Sequence, residues 1–238
     1  MPIGSAFVLA STVALAGAQN LPPSNADTAD AAGPFSDRVR DAWTLSLEGV
    51  TRAPLEAGFQ AGVEMPFGLR LFGGYAWVPS EYIDFLATLA AGRDAAQAVL
   101  QDSHYGGNSA RVGAGLRPFH DFGLYFDASY AHVRLDATQP IPSFSVPGYD
   151  FPGGTYRLHT GLDMWSLELG YEAEMERRVV LAIALGASGA FGSSTKIVPL
   201  GGAPNESTAL WEASGDIDHV FRTNVLPTLT LRLGFDLI

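Results

Sequence analysis

The chain of 238 residues contains no cysteine and few charged residues, and each shortage excludes a class of protein. Without cysteine there can be no disulfide, no thiolate metal site and no lipid-modified N-terminal cysteine. Lys and Arg number 14 against 25 Asp and Glu, for a formal net charge of −11, which argues against binding to a nucleic-acid backbone. Beyond the first twenty positions no run of about 18 apolar residues occurs, so we expect no helical anchor in the mature chain.

What the chain does have is a hydrophobic content of 47%, which supports one sizeable folded domain. Residues 1–18 predict a signal peptide, because the apolar stretch 3–15 is followed by Ala16-Gly17-Ala18, small residues that suit signal peptidase. Residues 19–42 are rich in Ala, Asp, Pro and Ser and predict a flexible periplasmic lead-in. The folded domain is therefore expected over 43–238.

From Trp43 onward, apolar and polar residues alternate with a period of two, which indicates strands with unlike faces. A phase slip near His132 predicts a bulge in the fifth of these segments. Short joins alternate with long ones, so the long joins should lie at one end of the sheet and both termini at the other. The predicted strands run over 43–51, 55–65, 67–77, 108–118, 122–135, about 165–171, about 179–185 and 229–237.

This asymmetry of joins is typical of outer-membrane barrels, which have short periplasmic turns, longer external loops and an even number of strands. We therefore predict an all-β fold, an eight-stranded antiparallel up-and-down transmembrane β-barrel with a short helical hairpin in an external loop. Aromatic residues should form two girdles where such a barrel meets the lipid head groups. At the short-turn end these are Trp43, Phe67, Phe122, Tyr171 and Phe235, and at the long-loop end Tyr75, Trp77, Tyr130 and Trp165.

Charged residues fall on the opposite face of the alternating segments, which predicts a charge network in the lumen. An eight-stranded barrel is just wide enough for side chains to fill it, so we expect arginine–carboxylate pairs that largely close the interior. The excess of carboxylates leaves open a narrow cation-preferring pore. The predicted network consists of Glu48, Glu56, Glu64, Arg70, Arg111, Arg117, Asp127, Glu168, Glu172 and Arg232.

Over 43–238 this pattern resembles the small outer-membrane β-barrels of the OmpA/OmpX type. The closing segment, Thr228 to Ile238, is similar to the C-terminal strand that the barrel-assembly machinery recognises, although it ends in Ile238 and not in an aromatic residue. The resemblance implies a location in the outer membrane of a Gram-negative bacterium. Expected partners are outer-membrane lipids and lipopolysaccharide, the assembly machinery, and an extracellular protein or small ligand at the loops. We expect no nucleic acid, cofactor or metal.

The three long joins carry separate expectations. Residues 79–104 predict a helical hairpin that covers the outer mouth or binds a partner, since apolar residues recur there at helical spacing. The join 136–155 combines proline with aromatic residues and predicts either a semi-rigid recognition surface or a self-packed loop. The third join predicts a solvated acidic loop in preference to a calcium site. Its polar residues are Glu212, Asp216, Asp218 and His219.

No enzyme motif is present, neither a phosphate loop nor a His-Glu-x-x-His sequence, and we expect a protein without catalytic activity. The alternative is a lipid hydrolase at the external rim that uses His132 with Ser129, or His159. The structural rival is a soluble lipocalin-like barrel, which would point its large apolar residues inward and its charges outward.

Overall fold

The computed structural model describes residues 43–79 except 55, 105–119, 122–200 except 142, 147, 148, 152 and 177, and 207–237. Their dominant feature is a closed antiparallel barrel of eight strands, with a two-stranded hairpin and one helix beside it. The predicted up-and-down barrel is confirmed. The predicted signal peptide and lead-in lie outside the described residues, and so does the 79–104 hairpin apart from Pro79.

The barrel closes by pairing its first strand with its last. In chain order the elements are β1 (Thr44–Ala53), β2 (Glu56–Glu64), β3 (Leu69–Val78), β4 (Tyr105–Leu116), β5 (Leu124–Ile141), β6 (Phe144–Val146), β7 (Tyr149–Phe151), β8 (Gly154–Glu176), β9 (Val179–Leu200), α1 (Ser207–Thr223) and β10 (Val225–Asp236). Around the barrel the order is β1, β10, β9, β8, β5, β4, β3, β2, while β6 and β7 form the separate hairpin.

Three neighbouring strands are much longer than the alternation predicted. β5 has 18 residues, β8 has 23 and β9 has 22, whereas β2 on the opposite side has 9. About ten residues of tilted strand cross a membrane, so these strands extend well beyond it at the long-loop end. The join predicted at 136–155 is thus largely strand, with the β6–β7 hairpin at its tip.

The predicted bulge at His132 is wrong. β5 keeps an unbroken register on both sides, with His132 opposite Ala110 on β4 and Asp163 on β8. What changes near His132 is the polarity of each face: Ala131 and Val133 are buried inside, while His132 and Arg134 point outward. Two register shifts lie instead between β8 and β9, one between Glu174 and Glu176, and one where Asp163 and Met164 pair with Gly192 and Ala190 and leave the intervening residue of β9 unpaired.

The third join is not the predicted acidic loop but the helix α1, whose buried residues recur at helical spacing. They pack inside the extended part of the barrel, where they form an outer core together with apolar residues of the strands. Ser193 Oγ on β9 also donates a hydrogen bond of 3.1 Å to the carbonyl oxygen of Asp218. The helix contributes Leu210, Ala213, Ile217, Val220 and Phe221, and the principal strand residues are Val133, Leu135, Tyr156, Leu158, Leu162 and Met164.

Among the described residues, no helix combines the length and the apolar character needed to cross a bilayer.

Candidate functional site in the barrel lumen

The lumen below the outer core is lined by charged side chains that the strand alternation directs inward. The structure places all ten residues of the predicted charge network on this inner face, each in at least one ion pair with another charged side chain of the lumen. Arg232 and Asp127 are only 2% exposed, so the pairs are screened from bulk solvent. The network is therefore a buried structural feature and not a set of surface ion pairs.

One cluster of the network centres on Glu56. Its carboxylate lies 2.8 Å from Arg52 Nη1 and 2.7 Å from Arg111 Nη2, and it also accepts a hydrogen bond from Ser109 Oγ. Arg52 reaches across the barrel with its Nε, 2.7 Å from Glu168 Oε1. Strands on opposite walls are thereby joined through the interior.

A second cluster lies toward the short-turn end. Arg70 pairs with Glu48 and reaches Glu172 Oε2 at 3.5 Å. Arg117 Nη2 lies 2.5 Å from Glu172 Oε1 and 3.4 Å from Glu64 Oε2. Each guanidinium group thus shares two carboxylates, an arrangement that its planar fork of donors allows.

Gln60 joins the two clusters, since it accepts a 3.3 Å hydrogen bond from Arg52 and donates one of 3.4 Å to Glu48, and Arg232 links Asp127 to the second cluster. Arg232 Nη1 donates a 2.9 Å hydrogen bond to Asp127 Oδ2, and its Nε lies 3.8 Å from Glu48 Oε2. Its guanidinium group also lies over the ring of Tyr125, 4.3 Å from the centroid, a favourable cation–π distance. A side chain held from three directions spans the middle of the lumen.

Sequence reasoning missed Arg52, which it assigned to the join between the first two strands. The alternation held the signal, because Ser46, Glu48, Val50 and Arg52 continue one face of β1. The strand runs on to Ala53, so Arg52 is directed inward, where it is 4% exposed.

Glycines make room for these long side chains where strands and rings come closest. A Cβ at Gly115 would collide with the carboxylate of Asp127, and one at Gly170 would collide with the ring of Tyr125. The inward Gly and Ala residues therefore permit the charged and aromatic side chains to fill a barrel of only eight strands.

The ion-paired set contains five arginines and six carboxylates and leaves some polar atoms without a protein partner. Within the described part of the chain, Tyr125 Oη, Asp127 Oδ1, Glu168 Oε2, Thr228 Oγ1 and Arg232 Nη2 are buried and make no hydrogen bond. Buried polar atoms of this kind are commonly satisfied by internal water. The arrangement can hold charge and water.

The outside of the same strands is apolar. Phe59 is 61% exposed and Leu185 is 69% exposed, and a belt of such side chains surrounds the barrel. All nine residues predicted for the girdles lie on this exterior, Trp165 being half-buried and the others exposed. Apolar residues outside and ion pairs inside are the reverse of a soluble barrel, so the lipocalin-like alternative is wrong and the barrel is a transmembrane one.

Two solved structures resemble the barrel. The N-terminal β-barrel domain of Pseudomonas aeruginosa OprF is 12% identical, with 82% of this chain and 96% of that chain covered and a TM-score of 0.38. A major outer membrane protein from Thermus thermophilus is 13% identical, with 82% of this chain and 98% of that chain covered and a TM-score of 0.42. No protein-family model and no curated protein sequence matches the chain.

The residues suggested for a rim hydrolase do not assemble. Ser129 points into the lumen, where its Oγ accepts a 2.8 Å hydrogen bond from Arg111, whereas His132 points outward and lies 2.9 Å from Asp163. Residues on opposite faces of one strand cannot act as nucleophile and base. His159 pairs with Asp136 on the exterior. The described residues also contain no group of three His, Asp or Glu side chains placed to hold a metal.

Beyond the outer girdle, the exterior turns polar. Tyr130 Oη donates a 2.6 Å hydrogen bond to Asp163, and this bond, together with the one to His132, holds the pKa of Asp163 below its ordinary value. The exterior is therefore polar at the level of Asp163 and His132.

Proposed function

We propose that this chain is an integral outer-membrane protein of a Gram-negative bacterium that acts without catalysis. Its closed lumen contributes a rigid wall to the envelope, and its extended strands hold loops outside the cell for recognition. The observation that carries the proposal is the reversal of polarity across the barrel wall, with an apolar belt outside and buried ion pairs inside.

Charge pairing favours a closed lumen over a pore. Arg52 and Arg232 cross the interior and bind carboxylates on distant strands, and the outer core with α1 lies above them. An ion on its way through the lumen would have to displace these pairs, which are screened from water.

The same surfaces support the proposed partners. The apolar belt suits outer-membrane lipids, and the two girdles suit the two head-group regions. β10 exposes Leu229, Leu231, Leu233 and Phe235 on one side, a regular strand of the kind that the assembly machinery receives. An extracellular protein or small ligand would bind at the long-loop end.

The test combines membrane fractionation with conductance. We expect the chain in the outer-membrane fraction, in a form that migrates differently on gels before and after heating, and silent in planar bilayers. A variant in which a short linker replaces α1 and which carries Arg52→Ala and Arg111→Ala should gain cation-selective conductance, because the outer core is then open and Glu56 and Glu168 line the lumen. The matched control, with the same linker and Arg134→Ala with Arg157→Ala on the exterior, should stay silent.

Discrete cation-selective steps from the unaltered chain would contradict the closed lumen and would support the narrow pore. Recovery of the chain from the periplasm as a soluble, folded protein would contradict the membrane location itself.

A further inference from the structure

The helix α1 has one buried side and one side that faces water. Its apolar residues pack in the outer core, whereas Trp211, Gly215 and His219 recur at helical spacing on the opposite side and are exposed. Trp211 is 77% exposed, more than any other large apolar side chain that the structure describes. The exposed apolar side chains of the strands belong largely to the belt that suits lipid, but Trp211 lies on a helix beside the extended strands. Lipid therefore does not explain its exposure.

Carboxylates flank this exposed side of α1 and make no ion pair. At about 100° of rotation per residue, Asp218 lies on one flank of the line from Trp211 to Gly215. Glu212 and Asp216 lie on the other flank and are one turn apart, so they repel each other. Among the described residues, no cation lies within ion-pair distance of these three carboxylates. The exposed side of the helix therefore carries uncompensated negative charge.

Gly215 leaves a notch next to the ring of Trp211. Side chains on a helix lie over the preceding turn, so a side chain at position 215 would cover the surface beside Trp211. A Cβ there would meet no atom within 4 Å, so close packing does not require the glycine. Glycine inside a helix is destabilising, and so is a pair of like charges one turn apart. Locally unfavourable residues that share one exposed face are expected where a protein binds a partner.

We propose that this side of α1, which we call the α1 face, binds an arginine-bearing or lysine-bearing segment of an extracellular protein. The inference rests on the proposed function, since it gives the chemistry of the partner that is recognised outside the cell. The α1 face consists of Trp211, Glu212, Gly215, Asp216 and Asp218.

A cationic side chain fits the α1 face with both its stem and its charge. The apolar stem can lie in the notch at Gly215 against the ring of Trp211, and tryptophan is the aromatic residue that attracts cations most strongly. The charged end then lies between the flanking carboxylates, which accept its hydrogen bonds. An acidic segment would be repelled by the same carboxylates and by the net charge of −11, so the α1 face selects its partner by charge.

The test measures, by calorimetric titration in neutral detergent micelles, how a short peptide of alternating arginine and serine binds to the folded full chain. Trp211→Ala should weaken binding about tenfold, the size expected when an anchoring tryptophan is lost. Gly215→Gln should also weaken binding, because it fills the notch, yet it should stabilise α1, because glutamine is the better helix former. Glu212→Gln with Asp216→Asn should weaken binding about fivefold and make it less sensitive to salt.

A control variant and a control peptide separate the α1 face from the general charge of the protein. Asp136→Asn with Asp163→Asn removes the same charge from the exterior of β5 and β8, and this variant should bind like the unaltered chain. A peptide with glutamine in place of arginine should not bind to any of the proteins.

Equal affinity of the unaltered chain, Trp211→Ala and Gly215→Gln for the arginine peptide would overturn the proposal, and so would equal binding of the glutamine peptide. Tighter binding of spermine than of the peptide would overturn the assignment to a protein partner. Binding of a neutral oligosaccharide that depends on Trp211, without binding of the peptide, would do the same. If no variant shows a heat-sensitive folded form in micelles, the membrane-barrel proposal itself fails, an outcome distinct from a folded barrel that binds no peptide.

Discussion

The membrane part of the barrel and its outer extension are built on the same strands with opposite polarity. On β5 the inward residues change from Asp127 and Ser129 to Val133 and Leu135, while the strand and its register continue unbroken. On β8 the inward residues change in the same way, from Glu168 and Ser166 to Leu162 and Leu158. The change falls at the level of Tyr130 and Trp165, which pair with each other.

The difference shows that the surrounding solvent decides which face of a strand is apolar. Where lipid surrounds the barrel, charged side chains have a lower free energy inside, paired with one another, than on the exterior. Where water surrounds it, apolar side chains are removed from solvent only by packing inward, and α1 completes that outer core. Substitutions of one kind should therefore have unlike effects in the two parts.

The largest effect is expected from removing a buried charge partner in the lumen. Arg232→Met leaves Asp127 buried without its 2.9 Å hydrogen bond, and should lower the free energy of unfolding by about 3–5 kcal/mol. Equilibrium unfolding by urea in lipid vesicles measures this. Adding Asp127→Leu should restore most of the loss, because no unpaired charge then remains. If Arg232→Met alone is as stable as the unaltered chain, the Arg232–Asp127 pair is solvated.

A matched pair of Ile→Ala substitutions compares the two apolar surfaces. Ile217 is fully buried on α1, so Ile217→Ala should cost about 2–5 kcal/mol in the opening of the outer core. Ile183 is 49% exposed on the lipid-facing exterior, so Ile183→Ala leaves no cavity and should cost far less. For both variants, hydrogen exchange of the α1 amides gives the change in the free energy of opening the outer core, with the barrel amides as reference. Equal losses would mean that α1 does not pack as a core.

A new arginine tests where lipid ends. Leu231 is central among the outward residues of β10, and Leu231→Arg should destabilise the barrel by about 2–4 kcal/mol in vesicles. Thr155 is exposed on the extension of β8, and Thr155→Arg should change stability by less than about 0.5 kcal/mol. The same urea titration applies to both. If Thr155→Arg destabilises the barrel as much as Leu231→Arg does, lipid also surrounds the barrel at the level of Thr155.

The smallest effect concerns one hydroxyl pair in each part. Ser166 and Ser188 lie 2.6 Å apart in the lumen, and Ser166 also accepts a 3.0 Å hydrogen bond from Arg111. Replacing both serines by Ala should cost about 1–2 kcal/mol, since a charged donor loses an acceptor. Thr160 and Thr195 lie 3.1 Å apart in the extension, and replacing both by Val should be nearly neutral, because no donor is left unpaired. Thermal unfolding of the two double variants in one detergent would compare them directly, and equal losses would contradict the distinction.

The strand positions and the inward direction of the charges were predictable because alternation depends only on local backbone geometry. The same reasoning failed at His132, where a change of solvent outside the barrel was interpreted as a bulge. The prediction of an acidic loop at α1 was also wrong. It relied on the acidic residues Glu212, Asp216 and Asp218 and did not use the helical spacing of Leu210, Ala213 and Ile217.

Sequence alone determined that this chain forms strands with unlike faces and that they close into a barrel of the outer-membrane type, because hydrogen bonding and side-chain alternation are local properties. Only the tertiary structure decided how far the strands continue past the lipid, which arginine meets which carboxylate, and that a helix closes the outer core. Those features depend on neighbours distant in the chain, such as Arg52 and Glu168, whose approach no local pattern encodes.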